Sequence, residues 1–119
     1  MPNTQKKIFL DIGGMMFVTT EDTLKMREGF FRNICNDNSI TNKIFIDRDG
    51  THFRFILNYL RGSDVLPKNA THLQELFFEA DFYCLEEMKT NISKKMLLSV
   101  KIQTVEESFM QLVKEIKHS

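Results

Sequence analysis

The sequence predicts an α+β domain with three short strands, several helices and a helical C-terminal tail. Two β-forming runs flank a double glycine, and a third, Lys43 to Ile46, leads into a helix that is apolar almost all round. Segments with apolar residues at helical spacing follow. Because the apolar helix has little polar surface, we expect it to lie inside the domain with the other elements around it.

The first two strands are predicted at Lys7 to Ile12 and Met15 to Thr20, with Gly13-Gly14 as the tight turn of a hairpin. Thr19-Thr20-Glu21-Asp22 predicts a helix cap with acidic residues in the first turn, where the helix dipole favours them. This short helix ends near Gly29. The next helix has an apolar set formed by Phe30, Phe31, Ile34 and Cys35.

The central helix follows a polar turn at residues 36–39, the third strand and the charged turn Asp47-Arg48-Asp49. Its apolar residues cover two sides of the helix: Phe53, Phe55, Ile56, Leu57, Tyr59 and Leu60. Asp49 is expected to cap the helix by accepting from its first free N–H groups. Gly62 is expected to end it in the left-handed conformation.

Two further helices are predicted after a loop at residues 62–69. Thr71-His72-Leu73-Gln74 fits a capping box, in which Gln74 reaches back to the chain entering the helix. The buried stripe of this helix is predicted at Leu73, Leu76, Phe77 and Ala80. The next helix is marked by Leu85, Met88, Ile92 and Met96.

The C-terminal tail, residues 98–119, has a different period. Its apolar residues are spaced alternately by four and three positions: Leu98, Ile102, Val105, Phe109, Leu112 and Ile116. This spacing favours a narrow seam that faces a partner helix, although it covers fewer than three heptads. Two alternatives remain open: a terminal helix folded onto its own domain, and an extended segment within Ser99 to Gln103.

The composition of the 119-residue chain indicates one cytoplasmic domain. Sixteen basic and sixteen acidic residues cancel, which argues against nucleic acid or an anionic membrane surface as the main partner. The sequence has no run of eighteen apolar residues, and its N-terminus lacks the apolar core of a signal peptide. Two widely separated cysteines suit a reducing compartment.

No catalytic, cofactor or metal site is predicted. Asp47-Arg48-Asp49-Gly50 has the look of a calcium loop, but that alignment leaves Phe45 and Ile56 at ligand positions. Gly13-Gly14 lacks the Lys-Ser or Lys-Thr of a phosphate-binding loop. The histidines share no metal-ligand spacing and are expected to be surface or capping residues: His52, His72 and His118. The cysteines are expected to be small core residues: Cys35 and Cys84.

Four separated motifs occur along the chain: Leu10-Asp11-Ile12-Gly13-Gly14, Phe17-Val18-Thr19-Thr20 with Thr23-Leu24, Phe45 to Gly50 with Ile56 to Arg61, and Glu79 to Leu85. In order and spacing they resemble BTB/POZ domains of the potassium-channel tetramerisation type, over about residues 7 to 96. The soluble KCTD proteins are the nearest members, since the chain has no membrane segment and lacks the His/Cys set of zinc-binding channel domains. We therefore assign the domain to residues 7–97 and the tail to residues 98–119.

The resemblance implies a small sheet flanked by a cluster of helices, in a domain that assembles side by side into rings of four or five copies without catalysis. A ring needs two different complementary surfaces on each copy. We therefore expect charged residues to pair between copies: Asp11, Lys43, Asp47, Arg48, Asp49 and Arg61. The alternative is that the charges of the turn act only within one chain.

The resemblance also implies cullin-3 as a partner, because many soluble members of the family bind it as adaptors of ubiquitin ligases, while others assemble without a cullin. The family often has Met-Phe at the end of the short helix near the docking groove, where this chain has Ile34-Cys35. Loss of an aromatic anchor matters because a few such residues carry most interface energy. Phe30 or Phe31 could substitute if exposed, which leaves both a cullin adaptor and a pure self-assembly module open.

Overall fold

The computed structural model describes residues 6–37 and 41–118 and confirms the α+β fold. The described chain forms three strands and five helices: β1 (Lys7–Ile12), β2 (Met15–Thr20), α1 (Glu21–Lys25), α2 (Phe30–Asn36), β3 (Lys43–Ile46), α3 (Phe53–Leu60), α4 (Ala70–Phe82) and α5 (Glu86–His118). The strands have their predicted bounds. Asn38 and Ser39 of the predicted polar turn lie outside the described residues.

β1 is the central strand of the sheet, with β2 antiparallel on one side and β3 parallel on the other. The hairpin turn requires glycine at residue 13, where φ is +58° and a Cβ would lie 2.2 Å from the carbonyl oxygen of Arg48. The Gly13 N–H donates to the Ile46 carbonyl at 2.9 Å, and the Gly14 N–H donates to the Asp11 carboxylate at 2.7 Å. The turn is therefore attached to both β1 and β3.

The inner face of the sheet forms one wall of the core. Ile8, Leu10 and Ile12 are fully buried and alternate with outward residues of β1. The helices cover this face with a contiguous cluster that includes Leu24, Phe31, Phe53, Ile56, Leu57, Leu60, Leu73, Leu76, Tyr83, Leu85, Met88 and Ile92. Because α3 contributes five buried residues to eight positions, its predicted place inside the domain is confirmed.

The predicted Asp49 cap of α3 is wrong. The helix begins at Phe53 with His52 at the N-cap position, and no side chain caps it there. The Asp49 carboxylate accepts instead from the backbone N–H and the hydroxyl of Thr51, at 2.8 and 2.6 Å, and so closes the turn before the helix. Gly62 ends the helix as predicted, with φ at +101°.

The capping box predicted at residues 71–74 is also wrong, because α4 begins earlier, at Ala70. Asn69 is the N-cap, and its side chain accepts from the His72 N–H at 3.1 Å. The asparagine is placed for this role because its own backbone is still extended as the loop enters the helix. The predicted stripe is buried at Leu73, Leu76 and Ala80, with Phe77 half-buried.

The two cysteines lie in different environments. Cys35 is buried in the core, as predicted. Cys84 is exposed, so its prediction as a core residue is wrong. It adopts the left-handed conformation, with φ at +57°, just after α4, and its N–H donates to the Asp81 carbonyl while the Leu85 N–H donates to Ala80. These two bonds make the helix ending that glycine usually provides, and they turn the Cys84 side chain outward.

α5 is one continuous helix that crosses the predicted domain boundary at residues 97 and 98 without a break. Its first turns pack on the domain through Met88 and Ile92. The predicted helical tail is confirmed, and the alternative of an extended segment at Ser99 to Gln103 is wrong. The alternative of a tail folded onto its own domain is also wrong, because its seam residues are exposed. The molecule is accordingly elongated, with extents of 74, 29 and 23 Å.

Candidate functional site

The outward side of the sheet forms an exposed, largely apolar surface, which we call the outer sheet face. Its residues lie in two rows across the strands, Val18–Phe9–Lys43 and Met16–Asp11–Phe45. Residues paired across strands share one side of a sheet, so these six side chains are neighbours. The four apolar members are exposed, Phe45 most of all at 64%. The surface therefore combines apolar area with one basic and one acidic residue.

Two of the predicted interface charges, Asp11 and Lys43, belong to the outer sheet face. Its apolar residues were not predicted as a site. The signal was present in β1, where Lys7, Phe9 and Asp11 alternate with fully buried residues. Alternation does not reveal which side faces outward when both sides of a strand carry apolar residues.

Arg48 and three residues of α4 form a second surface, the α4 surface: Arg48, Phe78, Glu79 and Phe82. The Arg48 guanidinium donates to both oxygens of the Glu79 carboxylate, from Nε at 3.3 Å and from Nη2. It also lies over the Phe82 ring, 4.4 Å from the centroid. Phe78 and Phe82 are one helical turn apart and exposed, at 56% and 40%. α4 thus carries apolar residues both toward the core and outward.

Arg48 was expected either to pair between copies or to act only within its turn. The structure pairs it with α4 of its own chain, 31 residues away in sequence. The Glu79 side chain is only 14% exposed, so this carboxylate is taken largely out of water and Arg48 compensates its charge. The ion pair holds the turn after β3 against α4, and so fixes the α4 surface relative to the sheet.

The other three predicted charges have separate surroundings. Asp47 is exposed. Hydrogen bonds from the side chain and backbone of Thr51 lower the pKa of the Asp49 carboxyl below its usual value. Arg61 donates from Nη2 to the Val18 carbonyl at 3.1 Å, on the outer edge of β2. Arg61 thus covers part of a sheet edge that would otherwise offer unpaired backbone groups.

The residues predicted to face cullin divide between the core and the surface. Phe31 and Cys35 are 1% and 3% exposed and contribute to the core. Burial raises the pKa of the Cys35 thiol. Phe30 and Ile34 are half-buried. Phe31, one of the two residues that could have replaced the missing aromatic anchor, therefore packs inside the domain. Of the four residues predicted to face cullin, only Phe30 and Ile34 remain partly accessible on α2.

Met26, at the C-terminal end of α1, is another exposed apolar residue of this part of the chain. The two short helices are held together by Arg32, whose Nε donates to the Lys25 carbonyl at 3.0 Å. Met26 directly follows this carbonyl and is largely exposed. We refer to Met26, Phe30 and Ile34 as the α1–α2 surface. Met26 was not predicted as part of a partner surface, because the first short helix was expected to continue past it toward Gly29.

The described residues, 6–37 and 41–118, contain no group of three or more His, Cys, Asp or Glu side chains that could hold a metal ion. His52 is buried at the N-cap position of α3, with Nε2 3.4 Å from a Glu75 oxygen and its ring 5.3 Å from the His72 ring. His72 is exposed. No helix in the same ranges combines the length and apolar character needed to cross a membrane.

A mixed sheet and helical cluster that present several exposed apolar surfaces are typical of a domain that binds other proteins. The model of the BTB/POZ domain matches residues 8–93. The chain therefore belongs to the BTB/POZ domain family, and the resemblance to its potassium-channel tetramerisation type is confirmed.

Relatives from plants and vertebrates are similar to this chain over two thirds of its length or more. The FH protein interacting protein FIP2 of Arabidopsis thaliana is 40% identical over 76% of this chain and 33% of its own length. The BTB/POZ domain-containing adapter for CUL3-mediated RhoA degradation protein 1 of Danio rerio is 35% identical over 70% of this chain and 27% of its own length. Protein 2 of that name from Gallus gallus is 34% identical, over 68% and 28%. The chain thus spans a third or less of the length of these relatives.

Proposed function

We propose that this chain is a self-associating interaction domain that acts as an adaptor for cullin-3. The observation that supports self-association is the presence of two unlike exposed surfaces, the outer sheet face and the α4 surface, on one domain. The names of two relatives, which describe adapters for CUL3-mediated degradation, support the adaptor role. We propose no catalytic role, and the partner is protein rather than nucleic acid or membrane.

Side-by-side rings arise when one surface of each copy contacts a different surface of the next copy. The outer sheet face offers exposed Phe45, and the α4 surface offers exposed Phe78. Arg48 braces the α4 surface from within the chain, so its role in assembly is indirect: it positions the surface that the neighbour contacts. Rings of four or five copies are the expected products.

Two charge-introducing variants test this arrangement. Phe45→Asp should disable the outer sheet face, and Phe78→Asp should disable the α4 surface, so each variant alone should lose the ring in native mass spectrometry. Each should weaken the contact by roughly 30-fold, as expected for a central aromatic anchor. Val65→Asp, a similar change at an exposed loop residue, is the control and should leave the mass unchanged.

Mixing the two variants distinguishes unlike from like surfaces. A Phe45→Asp copy keeps its α4 surface, and a Phe78→Asp copy keeps its outer sheet face. With Phe109→Asp added to every chain, so that the exposed seam of the tail does not link them, the two variants should therefore bind each other more tightly than either binds itself, in co-purification of a tagged with an untagged chain. Equal binding in all combinations, or a parent chain of monomer mass at high concentration, would overturn the ring.

Cullin-3 binding is proposed at the α1–α2 surface, where Met26 is exposed and Ile34 is half-buried. Ile34→Glu combined with Met26→Glu should weaken binding of the purified cullin-3 N-terminal domain roughly 30-fold without changing the oligomer mass. Val65→Glu, at the exposed loop residue that also serves as the control for the ring, is the control for binding and should retain it. Absence of binding by the parent chain at micromolar concentration would reject the adaptor role.

A second candidate function is self-assembly that scaffolds or regulates another protein without a cullin. Burial of Phe31 and Cys35 favours it, because the α1–α2 surface keeps no fully exposed aromatic anchor. Formation of rings together with failure to bind cullin-3 would select this candidate. A cytoplasmic location, which the two unpaired cysteines suggest, fits both candidates and stays a prediction.

A further inference from the structure

The C-terminal half of α5 extends from the domain with an uncovered apolar stripe. This tail seam consists of the residues spaced by four and three, and their exposed fractions range from 50% to 68%: Leu98, Ile102, Val105, Phe109, Leu112 and Ile116. Residues on the far side of the helix are mainly polar, such as Gln103, Glu107 and Lys114. The chain's own domain does not cover the seam, and Leu97, Val100 and Met110 are further exposed apolar residues off the seam. A continuous exposed apolar stripe of this kind marks a contact with a partner.

We propose that the tail seams of two copies pair in a parallel, two-stranded coiled coil, a contact separate from the ring proposed for the BTB/POZ domain. The alternating spacing keeps one narrow seam in register with a second helix. With Ile102, Phe109 and Ile116 at the a positions, the d positions hold Leu98, Val105 and Leu112. Two of the three a positions hold β-branched isoleucine and two of the three d positions hold leucine, a combination that favours two parallel strands over larger bundles.

The charges beside the seam specify the direction of pairing. Lys101 occupies a g position and Glu106 the e position of the next heptad. In a parallel pair these two positions face each other across the seam, which places a lysine opposite a glutamate on both sides. In the antiparallel alignment that pairs Leu98 with Ile116, Lys101 would face Glu115 of the other chain, but the Glu106 side chains of the two chains would also face each other. Like charges placed opposite each other disfavour that alignment.

Disulfide trapping tests the direction in the full chain. Cys84→Ser removes the exposed thiol, and Cys35 is buried. In that background, Leu112→Cys should form a disulfide-linked dimer under mild oxidation, because in a parallel pair a residue at a d position lies opposite the same residue of the other chain. Lys114→Cys, on the outer side of the helix, is the control and should link much less. Equal linking at both positions, or linking only between Ile102→Cys and Leu112→Cys chains, would overturn the proposal.

Charge reversal supplies an independent measurement. Lys101→Glu alone should weaken tail pairing about tenfold, and adding Glu106→Lys should restore it, because the attraction is re-formed with its signs exchanged. The experiment is best made with Phe45→Asp present, so that the proposed ring does not contribute to the mass. Failure of the double reversal to restore pairing would contradict the parallel arrangement.

The same background separates this contact from the ring. A Phe45→Asp chain should remain a dimer through its tails, and adding Phe109→Asp should make it a monomer, with unchanged helix content by circular dichroism. Thr104→Asp, on the outer side of the same helix, is the matched control and should remain dimeric. A monomeric Phe45→Asp chain would overturn tail pairing while supporting the ring, whereas a full-size assembly would overturn the ring.

Discussion

Arg48 and Glu79 form a two-point ion pair across 31 residues of sequence, with the Arg48 guanidinium lying over the ring of Phe82. The pair joins the turn after β3 to α4. Among the described residues, Arg48 is the one member of the predicted set of interface charges that makes a bidentate ion pair within its own chain. Its contribution to stability can be separated from any contribution to assembly.

Arg48→Met should lower the free energy of unfolding by about 1–3 kcal/mol, because it leaves the largely buried Glu79 carboxylate without a partner. Adding Glu79→Gln should recover part of the loss, since the uncompensated charge is then removed. Urea unfolding at a fixed chain concentration measures both changes. Lys25→Met breaks the exposed pair with Glu21 and should cost no more than about 0.5 kcal/mol. Equal losses at the two sites would show that burial of Glu79 is unimportant.

Tyr83→Phe should leave stability unchanged or raise it by up to about 1 kcal/mol. The Tyr83 hydroxyl is buried, and within the described residues it has no hydrogen-bond partner. The ring contributes most of what this residue gives the core, and phenylalanine keeps the ring. Urea unfolding measures the change, with the parent chain as the reference. A clear loss in Tyr83→Phe would indicate a partner for its hydroxyl.

The same tyrosine predicts a loss of stability at alkaline pH. Burial raises the pKa of the Tyr83 hydroxyl well above its ordinary value. The folded chain therefore holds this proton more tightly than the unfolded chain, so stability should fall as pH rises above the unfolded value of about 10. Urea midpoints measured between about pH 9 and 11 should fall less steeply for Tyr83→Phe than for the parent. Parallel curves would contradict this effect of burial.

Cys84→Gly should stabilise the fold by about 1 kcal/mol, because residue 84 is in the left-handed conformation at φ +57° and glycine adopts it without strain. Cys84→Ala keeps the Cβ and is the matched control, with no gain expected. Thermal or urea unfolding of the two variants measures the difference. If alanine and glycine behave alike, the backbone at this position is not strained.

The Asp49 carboxyl should make the free energy of unfolding depend on pH in the acid range. The hydrogen bonds from Thr51 lower the pKa of the Asp49 carboxyl in the fold. Its stabilising effect is therefore present above the unfolded pKa of about 4 and is lost as pH falls through the lower folded value. Asp49→Asn keeps an acceptor for Thr51 but does not titrate, so its urea midpoint should depend less on pH in this acid range. Identical acid dependence in both chains would exclude Asp49 as a contributor.

Much of the fold could be predicted because its signals are local. The three strands were predicted at their bounds, since β-forming runs and Gly13-Gly14 specify a hairpin from adjacent residues. The buried stripe of α4 followed from helical spacing alone. Of the three predicted N-caps, the one at Thr20 of α1 is confirmed, and those of α3 and α4 are wrong, because the residue that caps depends on where the backbone enters the helix. Asn69 caps α4 in place of the predicted box, and Thr51 takes up the Asp49 carboxylate that was expected to cap α3.

The candidate surfaces were predicted only in part. Asp11 and Lys43 were selected for their charge, whereas Phe9, Met16 and Val18 of the same outer sheet face were missed. The sequence does not distinguish an exposed aromatic residue from a buried one. Whether an apolar residue of a strand is buried depends on which side of the sheet the helices cover, and that is a relationship between distant segments.

The sequence by itself determined the family, the order of strands and helices, and the alternating seam of the tail, because each follows from residues that are neighbours along the chain. Only the tertiary structure decided that Arg48 bonds Glu79, that Phe31 lies inside while Phe78 lies outside, and that the seam of α5 is uncovered. These facts depend on which segments meet in space. Burial and ion pairing result from contacts between segments that are distant in sequence, and the spacing of residues along the chain does not specify those contacts.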